Sequence, residues 1–275
     1  MSIPSKVESR LQAGLKRFQA ILQSAKIRDV NESDTVIIVT DILSEVFGFD
    51  KYTDITSEFS IRGTFCDLAI KAEGKPQVLI EVKAIGLELK EQFAKQAIDY
   101  AANQGTEWVL LTNGLIWQVY KVGFTQPISQ ELVLELNLGL LSPKSEDHLH
   151  QLYCLTKEGR GKCLLEDYHE KKQAMSRFSI GQMILTDSVL DVIRRELRKI
   201  SPGVRIENES IKNVLLHEVL KREVLEGDKP EEARRKILRL QNRTVKPKSF
   251  TAESSLSSTH NEGLNSVKAE QQIGT

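Results

Sequence analysis

An isolated Asp67, the triplet Glu81-Val82-Lys83 and the pair Gln96 and Tyr100 are the residues whose types and spacing could do chemistry. On a strand, alternate residues share a face, so Glu81 and Lys83 point one way and Val82 the other. A turn at Gly74-Lys75-Pro76 would fold the segment holding Asp67 back beside them. Two carboxylates brought together repel each other. Mg2+ resolves that repulsion, because it takes one or two carboxylates plus water and phosphate oxygens. Such an ion can generate hydroxide, polarise a phosphate and stabilise a leaving oxygen, and a lysine beside it favours the developing negative charge. The chemistry in view is metal-assisted cleavage of a phosphodiester. The plainer reading is a solvated sheet face with a surface ion pair, since short motifs match by chance. Two features weigh against it. The neighbours Leu68, Ala69, Ile70 and Val78, Leu79, Ile80 read as buried central strands, and Gln96 and Tyr100 share one helical face.

The elements that must position these residues follow from periodicity. Leu11, Leu15, Phe18, Ile21 and Leu22 recur at helical spacing, which predicts an amphipathic helix within residues 1–28. Asn31-Glu32-Ser33-Asp34 offers a cap and first-turn acids for a second helix, ending at Gly48. Short β-branched runs follow at Glu58 to Ile61, Phe65 to Lys71 and Gln77 to Ala84, an expected antiparallel meander. Leu89 to Asn103 returns to helical period. Trp108 to Thr112 and Leu115 to Val122 read as strands joined at Asn113-Gly114. This order is an α/β core over residues 29–140. Beyond Ser142-Pro143-Lys144 the chain becomes charged and mostly helical over 145–243, with helices expected at Ser188 to Ile200, Glu209 to Leu225 and Lys229 to Gln241. Residues 244–275 are rich in Ser, Thr, Asn, Gln and charge, a composition of disorder.

Composition limits the partners. The 275 residues carry 38 basic and 38 acidic side chains, a balance that argues against non-specific coating of nucleic acid or membrane. Cys66, Cys154 and Cys163 are too few and too irregular for a disulfide framework or a zinc site. Charges interrupt every apolar run from Lys6 to Arg28, so no signal peptide is expected. No apolar stretch approaches the roughly 20 residues that span a bilayer. A cytoplasmic protein without a membrane partner is the expectation.

Read in order, Asn31-Glu32-Ser33-Asp34-Thr35, Phe47-Gly48-Phe49-Asp50, Cys66-Asp67-Leu68-Ala69-Ile70, Glu81-Val82-Lys83, Gln96-Ala97-Ile98-Asp99-Tyr100 and Leu111-Thr112-Asn113-Gly114 resemble a known family. The stretch from Asn31 to Val122 resembles PD-(D/E)XK nucleases, and closely the N-terminal nuclease domain of type I restriction enzyme R subunits. The resemblance implies a restriction-endonuclease-like α/β core, a central mixed sheet flanked by helices, with a small helical C-terminal region beyond it. It implies Asp67 and Glu81 as metal-binding acids, Lys83 as the catalytic lysine and Glu32 as the first-helix acid. Gln96 and Tyr100 match the motif that positions DNA or the site. Cys66 stands where the name-giving motif has proline. The implied cofactor is Mg2+, with Mn2+ as its substitute. DNA is the implied substrate, and a helicase, methylase or specificity protein the implied partner. No phosphate-cradling glycine loop accompanies the motifs, so the expected protein is a nuclease without the motor of R subunits. Two alternatives stay open, a non-cleaving module that binds nucleic acid or docks a partner, and RNA or single-stranded DNA as substrate.

Other chemistry-bearing residues receive plainer readings. Glu45 is a solvated helix position rather than a rival to Glu32, and His148 and His150 fall in a solvated loop. His169 and His217 are lone helical residues. Cys154 and Cys163 are small buried residues, and Trp117, Tyr120 and Phe124 are core aromatics. The cations of the C-terminal helices (Arg194-Arg195, Arg198-Lys199, Lys221-Arg222, Arg234-Arg235-Lys236, Arg239 and Arg243) are interleaved with acids and read as a solvated face, the alternative being a track for DNA phosphates.

Overall fold

The period changes after Gly48 because the chain passes there from helices into a sheet. The computed structural model describes residues 2–61, 64–124 and 126–244. Two helices come first, α1 (Ser5–Ile27) and α2 (Glu32–Glu45). Then follow β1 (Ile55–Ile61), β2 (Thr64–Ala72), β3 (Lys75–Val82), α3 (Glu91–Gln104), β4 (Trp108–Thr112), β5 (Ile116–Gly123) and β6 (Ser129–Asn137). The sheet order is β1-β2-β3-β4-β5-β6. All neighbours are antiparallel except β3 and β4, which run parallel with Val78 opposite Trp108 and Val82 opposite Thr112. A parallel pair needs a long crossover, and α3 supplies it.

Alternation of side chains divides the apolar residues between two cores. Leu68, Ile70, Val78, Ile80, Val82 and Leu110 face α1 and α2 in the larger one, with Trp117 and Val119 of β5. Ala69, Leu79, Val109 and Leu111 face α3 in the smaller one, against Ala94, Ala97, Ile98 and Ala101. Alanine at three of those four α3 positions lets the helix lie close to the sheet. The β2–β3 connection is Glu73-Gly74, both with positive φ, as a two-residue type I′ hairpin requires.

β6 is a strand that the sequence reading does not anticipate. Its register against β5 pairs Val119 with Leu134 and Tyr120 with Leu132, leaving Val133 as an extra residue. That bulge breaks the alternation a strand would otherwise display. The main unit also extends past Ser142-Pro143-Lys144, reaching Ile180. It takes in α4 (Glu146–Tyr153), α5 (Lys157–Gly161) and α6 (Leu164–Ala174), whose Leu149, Leu152, Tyr153, Leu164 and Leu165 enter the larger core. His148 and His150 therefore lie on a helix, not in a loop. Ser145 caps it, and His148 Nδ1 accepts the Ser142 N–H at 2.9 Å. Cys163 is exposed rather than buried, whereas Cys154 is buried as read. Phe124 is 48% exposed and is no core residue, in contrast to Trp117 and Tyr120.

Arg10 joins three elements. Its Nε donates to Val46 O at 3.0 Å, and its two terminal nitrogens donate to the Glu158 carboxylate at 2.8 and 2.6 Å. Gly48 passes directly under this guanidinium with φ +81, and a Cβ there would lie 2.7 Å from Arg10 Cζ. Gly48→Ala therefore adds backbone strain and displaces the Arg10 bonds. Its expected cost is about 1–3 kcal/mol, read as a lower denaturation midpoint with unchanged slope.

α7 (Arg177–Ile184) includes the boundary to a second unit, which starts at Gly181. It contains α8 (Asp187–Ile200), α9 (Asn208–Val214), a π-turn over Leu215–Val219, α10 (Arg222–Leu225) and α11 (Asp228–Thr244). The single helix expected from Glu209 to Leu225 is thus interrupted, with Leu220 extended. Many of its cations pair with acids one turn away, among them Arg194 with Asp191 and Arg235 with Glu231. Residues 245–275, where disorder is expected, lie outside the described residues, as does Gly63. Among the described residues no helix is long and apolar enough to cross a membrane.

Candidate active site

The antiparallel ladder between β2 and β3 ends at Leu68 opposite Ile80. Beyond that point the Val82 N–H is taken by a side chain, Asp67 Oδ2, at 2.7 Å. Asp67 is thereby oriented by the backbone of the residue between Glu81 and Lys83. Glu81 is the next-to-last residue of β3 and only 7% exposed. Lys83 follows the strand immediately, held by its N–H to Thr112 O at 2.8 Å. Its ammonium donates to Glu81 Oε1 at 2.8 Å and to Glu32 Oε2 at 3.4 Å.

Glu32 reaches this point because α2 begins there. Asn31 caps the helix by accepting the Asp34 N–H at 2.9 Å, which makes Glu32 its first residue. A carboxylate suits a helix N-terminus, where the unpaired N–H groups carry partial positive charge. The structure thus brings Glu32, Asp67, Glu81 and Lys83 together from three elements. Glu45, at the other end of α2, pairs with Arg17 instead.

Burial dominates the electrostatics. It pushes the Asp67 carboxyl above the usual carboxylate range, against the pull of the Val82 N–H and the Lys83 charge. It does the same to Glu81, although the hydrogen bond from Lys83 opposes it and the Asp67 charge adds to it. For Lys83 burial works against the charge, but the bond to Glu81 and the charges of Glu81, Glu32 and Asp67 outweigh it, so its pKa is raised. Next to Asp67, burial and then the two acids push the Cys66 thiol up to about 12. It stays protonated, its Sγ donating to Ile80 O at 3.1 Å. Cys66 is therefore a packed strand residue and no nucleophile.

Gln96 and Tyr100 lie one turn apart on α3, with Gln96 Nε2 donating to the Tyr100 hydroxyl at 2.7 Å. α3 covers the sheet face that carries Leu79, and Glu81 shares that face by strand alternation. Among the described residues no hydrogen bond joins this pair to Asp67, Glu81 or Lys83. Nor do three His, Cys, Asp or Glu side chains among them converge closely enough to hold a metal ion.

The side chain of Asn113 was not singled out by sequence reasoning. Asn113-Gly114 reads as a two-residue type I′ turn, yet Asn113 does not have the positive φ that such a turn demands. Its Oδ1 instead accepts the Leu115 and Ile116 N–H groups at 3.1 and 2.8 Å.

A mixed sheet with helices on both faces, and acids and a lysine at the end of its parallel pair, is consistent with a restriction-endonuclease-like core. Residues 39–133 match the family model of the type I restriction enzyme R protein N terminus. That segment contains Asp67, Glu81, Lys83, Gln96 and Tyr100, while Glu32 lies just ahead of it. No curated protein and no solved structure matches the chain.

Proposed function

We propose that this protein hydrolyses phosphodiester bonds of DNA with Mg2+, and that the site around Lys83 does the cutting. The observation that carries the reading is Lys83 within 2.8 Å of Glu81 and 3.4 Å of Glu32, beside a half-buried Asp67. The donor set fits the ion: two carboxylates whose charge burial disfavours gain from a hard cation that keeps water and phosphate oxygens as its other ligands. Mn2+ suits the same oxygen donors. Asp67 and Glu81 would hold the ion, which supplies an activated water and charge neutralisation at the phosphate.

The remaining residues act on the substrate and on each other. Lys83 places a positive charge where negative charge builds on the phosphate. Glu32 keeps that ammonium oriented and offers a carboxylate to the attacking water. Gln96 and Tyr100 present an amide and a phenol from the covering helix, suited to a DNA backbone. The match to an R-subunit domain supports DNA as the substrate and motivates a helicase, methylase or specificity protein as partner.

The test is digestion of plasmid, single-stranded DNA and RNA with Mg2+. Wild type should cut DNA, and Glu81→Ala and Lys83→Ala should each lower the rate by about 10²–10³. Equal cutting by all three proteins rejects the assignment. One observation favours a second reading, a non-cleaving nucleic-acid-binding or docking module: Lys83 already pairs with Glu81, so that carboxylate has a counter-charge without an ion. Calorimetry separates the two, because that reading requires no Mn2+ binding that depends on Asp67 and Glu81.

A further inference from the structure

The chain leaves the sheet immediately after Lys83, and the Asn113 side chain ties the departing segment back to the end of β4. Lys83 is the last residue bonded to β4, through Thr112 O. From Ala84 the backbone turns, with the Leu87 N–H donating to Ala84 O at 3.0 Å. Ile85 is 1% exposed and belongs to the larger core. The carbonyls of Ile85 and Leu87 are both met by Asn113 Nδ2, at 3.4 and 2.8 Å. Asn113 is itself 4% exposed. Its amide thus spends two acceptor bonds on its own hairpin and two donor bonds on the segment after Lys83, which uses the full capacity of the group.

These two halves have different purposes. An asparagine oxygen accepting N–H groups two and three residues on is sufficient to make the turn between β4 and β5. The Nδ2 bonds add nothing to that turn. They tie the backbone two and four residues after Lys83 to the turn that follows Thr112, the residue that holds the Lys83 N–H. We propose that Asn113 is a positioning residue for Lys83, holding its ammonium between Glu81 and Glu32. The proposal rests on the nuclease reading for its effect on rate, but not for its effect on the lysine.

Asn113→Asp separates the two halves. An aspartate keeps the acceptor oxygen of the turn, cannot donate to Ile85 O and Leu87 O, and repels both carbonyls. Asn113→Ser is the second variant, because its hydroxyl still supports a turn without a buried charge if the aspartate fails to fold. Two readouts apply to the full chain: steady-state plasmid cleavage with Mg2+, and the side-chain ammonium resonance of Lys83 in an isotope-labelled sample, assigned with Lys83→Arg. The expected result is a folded variant whose kcat falls about 10–100-fold with KM for DNA unchanged, and whose Lys83 resonance moves toward that of solvent-exposed lysines.

If wild type does not cut DNA but the resonance moves, the nuclease reading falls and the positioning role stands. If wild type cuts and a folded variant keeps its kcat and its Lys83 resonance, the positioning role is overturned. It is equally overturned if kcat falls while the resonance stays in place, since the loss then comes from general loosening of the fold.

Discussion

Asp67→Asn is expected to abolish Mg2+-dependent DNA cleavage while raising the melting temperature of the metal-free protein. The loss should be on the order of 10³-fold or more, because on the proposed reading several kcal/mol of charge stabilisation leave with a metal ligand. The gain in stability has a separate origin. Burial raises the Asp67 pKa in the fold, so the native state prefers the protonated carboxyl and carries a cost when the group is ionised. That cost is absent below the carboxyl's unfolded pKa and sets in as pH rises through the folded one. Asparagine removes it and still accepts the Val82 N–H through its carbonyl. Each kcal/mol recovered corresponds to about 2–4 °C in a chain of this size. The gain should be largest near pH 7 and shrink as the pH approaches the ordinary carboxylate range, where wild type is protonated too. Thermal melts of both proteins across that range, without metal and with Mn2+, supply the check. A variant that is no more stable at pH 7 would show that burial of Asp67 carries no cost in the fold.

Arg10→Ala is expected to lower stability by about 2–3 kcal/mol, the scale for losing charge-assisted bonds at a partly solvated site. Arg10 and Glu158 are 25% and 38% exposed, so a large part of their attraction is screened. What remains is the loss of a partner for Val46 O and of the tie between α1, the end of α2 and α5. Arg10 holds the Glu158 carboxyl below the usual range, chiefly through its hydrogen bonds. That contribution is present above the unfolded pKa of Glu158 and disappears as pH falls through the folded one. The difference between wild type and variant should therefore narrow in acid. Arg10→Lys should recover less than half of it, because one ammonium cannot serve a bidentate carboxylate and a carbonyl together. Urea denaturation at pH 7 and pH 4 measures both effects.

The parts of the fold that could be read in the sequence are those with uninterrupted period. Five strands and α3 follow from β-branched runs, glycine punctuation and helical spacing. β6 stayed hidden because the extra residue at Val133 scrambles its alternation. α4 stayed hidden because His148 and His150 beside Ser142-Pro143 look like a linker, although Ser145 is a good cap. The acids and lysine were legible because Glu-x-Lys on a strand allows only one arrangement of faces. The roles of Val82 N–H and Asn113 were not, since a backbone donor leaves no mark in a sequence and an asparagine before glycine already has a simpler explanation.

The parallel pairing of β3 and β4 also has a consequence for how the protein is born. Lys83 is held by Thr112, and Val78 pairs with Trp108, so the strand bearing Glu81 gains its second neighbour only after α3 has been synthesised. Chains elongate at about 5–20 residues per second. A nascent chain thus carries the whole acid and lysine set for seconds before the strand that fixes it leaves the ribosome. The acid and lysine cluster is therefore assembled with completion of the sheet rather than with synthesis of its residues.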